Sequence, residues 1–254
     1  MGSVLDPSQE AFEQPQLRRC QFNLSQVDWE RAVRIGGGLD GYVWKVHFGS
    51  EGPYALKVFY DTFPPNVHYY AFERECRNAA LLQLMQAAVR QAAAESASIV
   101  VNSKPATIDD IRNNLLAFSN ERRLMSPAIV GESDEVVSEI PPFTECYGWL
   151  QFSGQTFLEM PFKQTPPTYK ADKLIRLFAP DRTYFAIVYE YIADPENNDQ
   201  VVEKVDRFLH RAGFGHTMSP DGSNWRHSKL IDHSEYVDYR GAYPPAPVEV
   251  TPLK

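Results

Sequence analysis

Residues 69–97, YYAFERECRNAALLQLMQAAVRQAAAESA, are rich in strong helix formers and follow three short runs of β-branched and aromatic residues. That order restricts the fold more than any other feature of the chain. RAVRIG, GYVWKVHFG and GPYALKVFY are separated by glycines and by Gly52-Pro53, so the three runs are expected to form an antiparallel meander. One long helix then follows. Phe72, Cys76, Ala79, Ala80, Gln83 and Ala87 recur at helical spacing and are expected to form its inward face. The class implied is α/β, in the α+β sense of an antiparallel sheet with helices set apart from it.

The rest of the chain alternates in the same way. Residues 1–25 are polar and read as a flexible arm. Thr107 is expected to cap a second helix over 105–124, with Asp109 and Asp110 in its first turn. Ser126 to Glu139 is acidic and reads as a loop. ECYGWLQF and RTYFAIVYEYI read as two further strands, and Pro161, Pro166 and Pro167 mark residues 159–172 as a connector. NNDQVVEKVDRFLHRAGF is an amphipathic helix with Val201, Val205, Phe208 and Leu209 inward, closed by Gly213. KLI reads as a strand ending at Asp232, and residues 241–254 form a proline-rich tail.

Composition excludes several functions. The net charge of −8 argues against direct nucleic-acid binding, which needs basic surface. No apolar run has membrane-spanning length, and the N-terminus lacks the charged and apolar regions of a signal peptide. Cys20, Cys76 and Cys146 are widely spaced and odd in number, so neither a disulfide framework nor a zinc site follows. Reduced thiols and an intracellular setting, cytoplasmic or nuclear, are expected.

The stretch IGGGLDGYVWKV carries the chemistry. Gly36, Gly38, Gly41 and Val43 fit G-x-G-x-x-G-x-V. A plain hairpin turn would account for some of the glycines. A strand follows them, where a dinucleotide-binding fingerprint needs a helix and a protein-kinase glycine-rich loop needs a strand. Lys57 in YALKVF stands where the phosphate-binding lysine of a kinase would be, although an edge-strand lysine reaching solvent is the plain alternative. Glu75, on the long helix, is its expected ion-pair partner, with Glu73 as competitor.

These features, together with RECRNAALLQLM, AIVYEYI and NWRHSKLIDHS, resemble the protein-kinase superfamily over about residues 25–235. More closely, they resemble a family of short fungal kinase-like proteins named after a subunit of the inner-kinetochore complex. The resemblance implies a two-lobed kinase-like fold, with an antiparallel N-terminal sheet, a long helix and a truncated C-terminal lobe. It divides the chain into the arm 1–25, an N-terminal lobe 26–192 with a helical insert at about 98–140, a minimal C-terminal lobe 193–240 and the tail 241–254. It places Tyr189 as gatekeeper, Glu190 at the start of an adenine-binding hinge, and Asn224 and Asp232 as magnesium ligands.

The departures shape the functional expectation. Thr217-Met218-Ser219 occupies the H-R-D positions, so the catalytic aspartate is missing, and His216 or Asp221 would have to act for it. His233-Ser234 replaces the phenylalanine and glycine of D-F-G. Asp40 stands at the tip of the glycine loop, where its charge would oppose a triphosphate. Like charges about 4 Å apart cost about 1 kcal/mol in water and several in a drier site. Too little chain follows Asp232 for peptide-docking helices. The first expectation is a pseudokinase-type scaffold holding a small-molecule ligand or protein partner in an interlobe cleft. The alternatives are acid–base chemistry on a small organic substrate, using Lys57, Glu75, His216, Asp232 and His233, and phosphoryl transfer from ATP with magnesium to a small molecule.

Overall fold

The computed structural model describes residues 5–65, 69–125, 133–171, 174–217 and 222–241. In chain order the helices are α1 (Gln9–Glu13), α2 (Ala71–Glu95), α3 (Ile108–Leu116), α4 (Asn120–Leu124), α5 (Thr156–Glu159) and α6 (Asp199–Arg211). The strands are β1 (Val33–Gly37), β2 (Gly41–Phe48), β3 (Glu51–Phe59), β4 (Ile99–Asn102), β5 (Asp134–Val137), β6 (Cys146–Ser153), β7 (Tyr169–Ala171), β8 (Leu174–Arg176) and β9 (Thr183–Glu190). Four two-residue strands follow: β10 (Gly215–His216), β11 (Trp225–Arg226), β12 (Lys229–Leu230) and β13 (Tyr236–Val237). The fold is α+β. None of the described helices is long and apolar enough to cross a membrane.

The chain groups into two units. One contains Leu17–Cys76 and Thr144–Ala193 and is built on an antiparallel sheet of order β1-β2-β3-β9-β6. Side chains alternate across the sheet. Trp44, Val46, Leu56, Val58, Ala186, Val188 and Leu150 face one core, closed by Phe157 and Met160 from the segment joining β6 to β9. Residues 159–172 of that segment, expected to be a connector, include β7, which pairs with β8 just beyond them, and α5 ends where they begin, at Glu159. The segment is bonded down where Trp44 Nε1 donates to the Gln164 carbonyl at 2.9 Å. The opposite sheet face carries Lys57, Phe59, Phe185, Ile187 and Tyr189. Phe72 of α2 stacks on Phe185 there, with ring centroids 4.6 Å apart.

The other unit contains Arg77–Phe143, Asp194–Lys254 and the N-terminal residues up to Gln16. Its core joins Leu81, Met85 and Ala88 of α2 to Leu115, Leu116, Val205 and Leu209. Residues 77–143 thus group with the C-terminal segment, because the later turns of α2 bury their apolar side chains there. The N-terminal segment read as a flexible arm forms α1 and buries Phe12 completely. Arg240 holds it by donating to the Phe12 and Glu13 carbonyls, each at 2.7 Å.

Three local expectations need correction. Of the expected inward face of α2, Ala79 and Ala80 are buried, but Phe72, Cys76, Gln83 and Ala87 are only half-buried, and the buried positions also include Ala71, Glu75, Asn78, Leu82, Met85, Ala88 and Ala92. The helix is alanine-rich on several sides, so spacing alone does not single out one stripe. The helix at 105–124 is two helices. Thr107 caps α3 through a capping box with Asp110, and Ser119 starts α4 by accepting from the Arg122 amide. The insert at about 98–140, read as a helix followed by an acidic loop, also contains β4 and β5, which pair with each other. α6 is capped by Asn198 and ends before Gly213, whose φ of +95° favours glycine.

Candidate functional site

The site is built on the sheet unit. A bulge at Ile35 shifts the β1–β2 register, and the Gly38 amide donates to the Gly41 carbonyl to close the hairpin. The register lines up Gly36, Val43, Lys57, Ile187 and Trp149 across five strands. The four glycines have different reasons to be glycine. A Cβ on Gly41 would stand 2.1 Å from the Val58 carbonyl oxygen, and one on Gly37 would strike the Tyr42 ring at 2.3 Å. At Gly36 and Gly38 a Cβ would meet nothing within 4 Å. Neither of these two glycines has the left-handed backbone that excludes a side chain. Packing therefore explains Gly37 and Gly41 and leaves Gly36 and Gly38 unexplained.

Asp40 at the hairpin tip is tied down. Its carbonyl accepts from the Tyr60 amide at 3.0 Å, and its carboxylate accepts from the Tyr69 hydroxyl at 2.7 Å. The Arg74 guanidinium lies 3.7 Å over the Tyr69 ring, so one aromatic joins the hairpin tip to the start of α2. The expectation that Asp40 presents its charge to a ligand gains a second element, a latch.

Beneath the hairpin, Lys57 forms the expected ion pair with Glu75. Glu75 is 0% exposed and Lys57 8%. The second Glu75 oxygen accepts from the Tyr189 hydroxyl at 2.9 Å. Burial, then the charge of Glu75, pushes the Tyr189 phenol well above its ordinary pKa, so it stays a donor. Cys146 pairs with Tyr189 across β6–β9, and burial raises its thiol to about 12. Burial also raises Cys76. These thiols remain protonated and poorly nucleophilic near neutral pH. Glu190 donates its amide to the Glu145 carbonyl at 2.8 Å and accepts from the Glu145 amide through its side chain at 3.3 Å, so the residue read as the start of a hinge is clamped to Glu145.

The remaining candidates lie in the helical unit. Asp232 accepts from the Ser234 amide at 3.1 Å and hydroxyl at 2.7 Å, which makes it the cap of a short turn. His233 is 1% exposed, and its carbonyl accepts from Asn78 Nδ2 at 2.6 Å. The same nitrogen donates to the Tyr236 carbonyl at 2.7 Å. His233 is therefore a core residue held by α2, which removes it from the solvent-accessible acid–base groups. Asn224 contributes its carbonyl to the Ile231 amide. Asp221 and Ser219 lie outside the described residues, as do 242–254 of the expected tail. No three His, Cys, Asp or Glu side chains come together as a metal set among the described residues.

His216 belongs to a cluster that the sequence did not disclose. Its Nε2 lies 2.7 Å from Asp206 Oδ1, which also accepts from the Tyr236 hydroxyl at 2.7 Å. The His216 and Tyr236 rings lie 4.5 Å apart. Burial alone would raise the Asp206 pKa, but the His216 and Tyr236 contacts outweigh it and hold the carboxyl below its usual range. Burial also lowers the pKa of His210, against the pull of Asp206.

Comparison with protein-family models, with curated proteins and with solved structures gave no match to this chain.

Proposed function

We propose that this chain is a kinase-like module that binds an anionic, phosphate-bearing ligand under the β1–β2 hairpin and works by binding, not by phosphoryl transfer to protein. The observation that carries it is the buried Lys57–Glu75 pair, braced by Tyr189 and aligned with Val43 and Gly36. A buried ion pair is a weak source of stability, so its presence calls for another reason. Strand order supports the reading, because glycine hairpin, lysine strand and helix follow as a kinase N-terminal lobe requires. The resemblance to the kinetochore-named family is part of the same proposal.

The residues fit a triphosphate at two points. Gly36 and Gly38 leave space where a side chain would otherwise stand, and Lys57 would hold a phosphate oxygen. The proposal rests on these phosphate contacts and not on magnesium; at Asp232 both Ser234 bonds fall on Oδ1. Thermal-shift titration tests the proposal. ATP alone should raise the melting temperature, since a ligand at a hundred times its Kd adds about 2.7 kcal/mol to stability, and added magnesium should change little. Gly38→Val should keep the unliganded melting temperature and abolish the ATP shift. Asp40→Asn keeps an acceptor for Tyr69 and removes the charge, so it should tighten ATP binding about five-fold. Absence of any ATP shift, or an undiminished shift in Gly38→Val, would refute the proposal.

The Asp206–His216–Tyr236 cluster favours a second reading, acid–base chemistry on a small organic substrate. With Nε2 facing Asp206 Oδ1, Nδ1 is the His216 ring nitrogen left to meet a substrate. Nitrogen-15 NMR at pH 8 should show the Nε2–H tautomer, shifting toward a mixture in Asp206→Leu. A dominant Nδ1–H tautomer in the unaltered chain would end this reading.

A further inference from the structure

The helical unit holds a cavity of about 650 Å³, within the range of specific binding sites. One wall is β5 and its extended continuation to Pro142, and the other is α6 from Val201 to Ala212. Val137, Ile140, Val201, Phe208 and Ala212 give it an apolar lining. β5 pairs with β4, and among the described residues no second strand pairs with it. A strand edge with no strand partner among the described residues, beside an apolar groove, is an arrangement that accepts an added strand.

The charges on the two walls differ. Lys204, Arg207 and Arg211 lie along the α6 wall, and Glu135 and Glu139 along the other. Arg211 is ion-paired with Glu135, and Arg207 with Glu203 on its own helix. Lys204 is exposed and makes no ion pair among the described residues. The α6 side thus presents an unneutralised cation in a chain of net charge −8.

We infer that this groove is a docking site for an extended segment of a partner protein, with apolar residues at alternate positions and an acidic residue on the α6 side. Val201 to Ala212 covers about 16 Å of helix, which matches four to five residues of extended chain. Alternate side chains would fill the apolar lining, main-chain bonds would form to the β5 wall, and the acid would pair with Lys204. This inference is independent of the hairpin site and supplies a partner contact for a binding module.

The test is fluorescence polarisation of the full chain with a labelled octapeptide alternating aspartate and valine. Saturable binding is expected. The same peptide with lysine for aspartate should bind at least ten-fold more weakly, and so should the aspartate peptide to Lys204→Glu, a surface change that leaves the melting temperature unaltered. N-methylation of alternate amides along one peptide edge should abolish binding. Three results would overturn the inference: equal binding of both peptides, binding insensitive to Lys204→Glu, or no saturable binding. Self-association in sedimentation velocity that Lys204→Glu abolishes would also overturn it, by assigning the groove to a second copy of the chain.

Discussion

Replacing Glu75 with alanine should destabilise the chain by about 3–5 kcal/mol, measured by urea unfolding, because it strands the Lys57 charge in a buried site. The carboxylate is fully buried and has two partners, so the Tyr189 hydroxyl loses its acceptor at the same time. The double variant Lys57→Met with Glu75→Leu should recover most of that loss, since well-packed apolar residues of similar volume often replace a buried ion pair without cost. The pair of experiments separates structure from function. If the double variant is stable and has lost the ATP-induced shift, the ion pair is kept for its ligand. If Glu75→Ala costs less than about 1 kcal/mol, as at an exposed pair, Lys57 finds water and the enclosed geometry is not maintained in solution.

The sheet was legible because its strands carry short alternating runs with glycine between them, and Lys57 and Glu75 could be matched because they lie 18 residues apart in the chain. Legibility failed where burial contradicts residue type. Glu75 and Asn78 lie on the inward face of α2, which no hydrophobic count would choose, and each is there because it binds polar groups. The Ile99–Asn102 strand was available in the β-branched run SIVVN, but its partner lies more than thirty residues on in an acidic stretch, where composition suggests a loop. Phe12 stands among polar neighbours with few apolar residues near it, and its anchorage involves Arg240, far along the chain. The Asp206–His216 contact escaped notice because a helix end and the Gly213 turn separate two residues whose meeting has no spacing rule.

Gly41→Ala should destabilise the chain by about 3 kcal/mol or more. The added Cβ would lie 2.1 Å from the Val58 oxygen and 3.0 Å from its carbonyl carbon, and backbone cannot step aside as a flexible side chain could. Relief requires β2 and β3 to separate where Gly41 pairs with Phe59. That movement would also disturb the Gly38–Gly41 bond that closes the hairpin and the neighbouring Asp40–Tyr60 bond. Gly38→Val meets no such obstacle and should leave the unliganded fold intact. The two substitutions therefore answer different questions about one glycine-rich stretch: Gly41 reports strand packing, and Gly38 reports whatever occupies the open space beside it. Should Gly41→Ala prove harmless in urea unfolding, the two strands are further apart at the hairpin than a Gly41–Phe59 pairing requires. Should Gly38→Val prove as damaging as Gly41→Ala, the space at Gly38 is needed by the fold, and the case for a ligand beneath the hairpin rests on Lys57 and Glu75 alone.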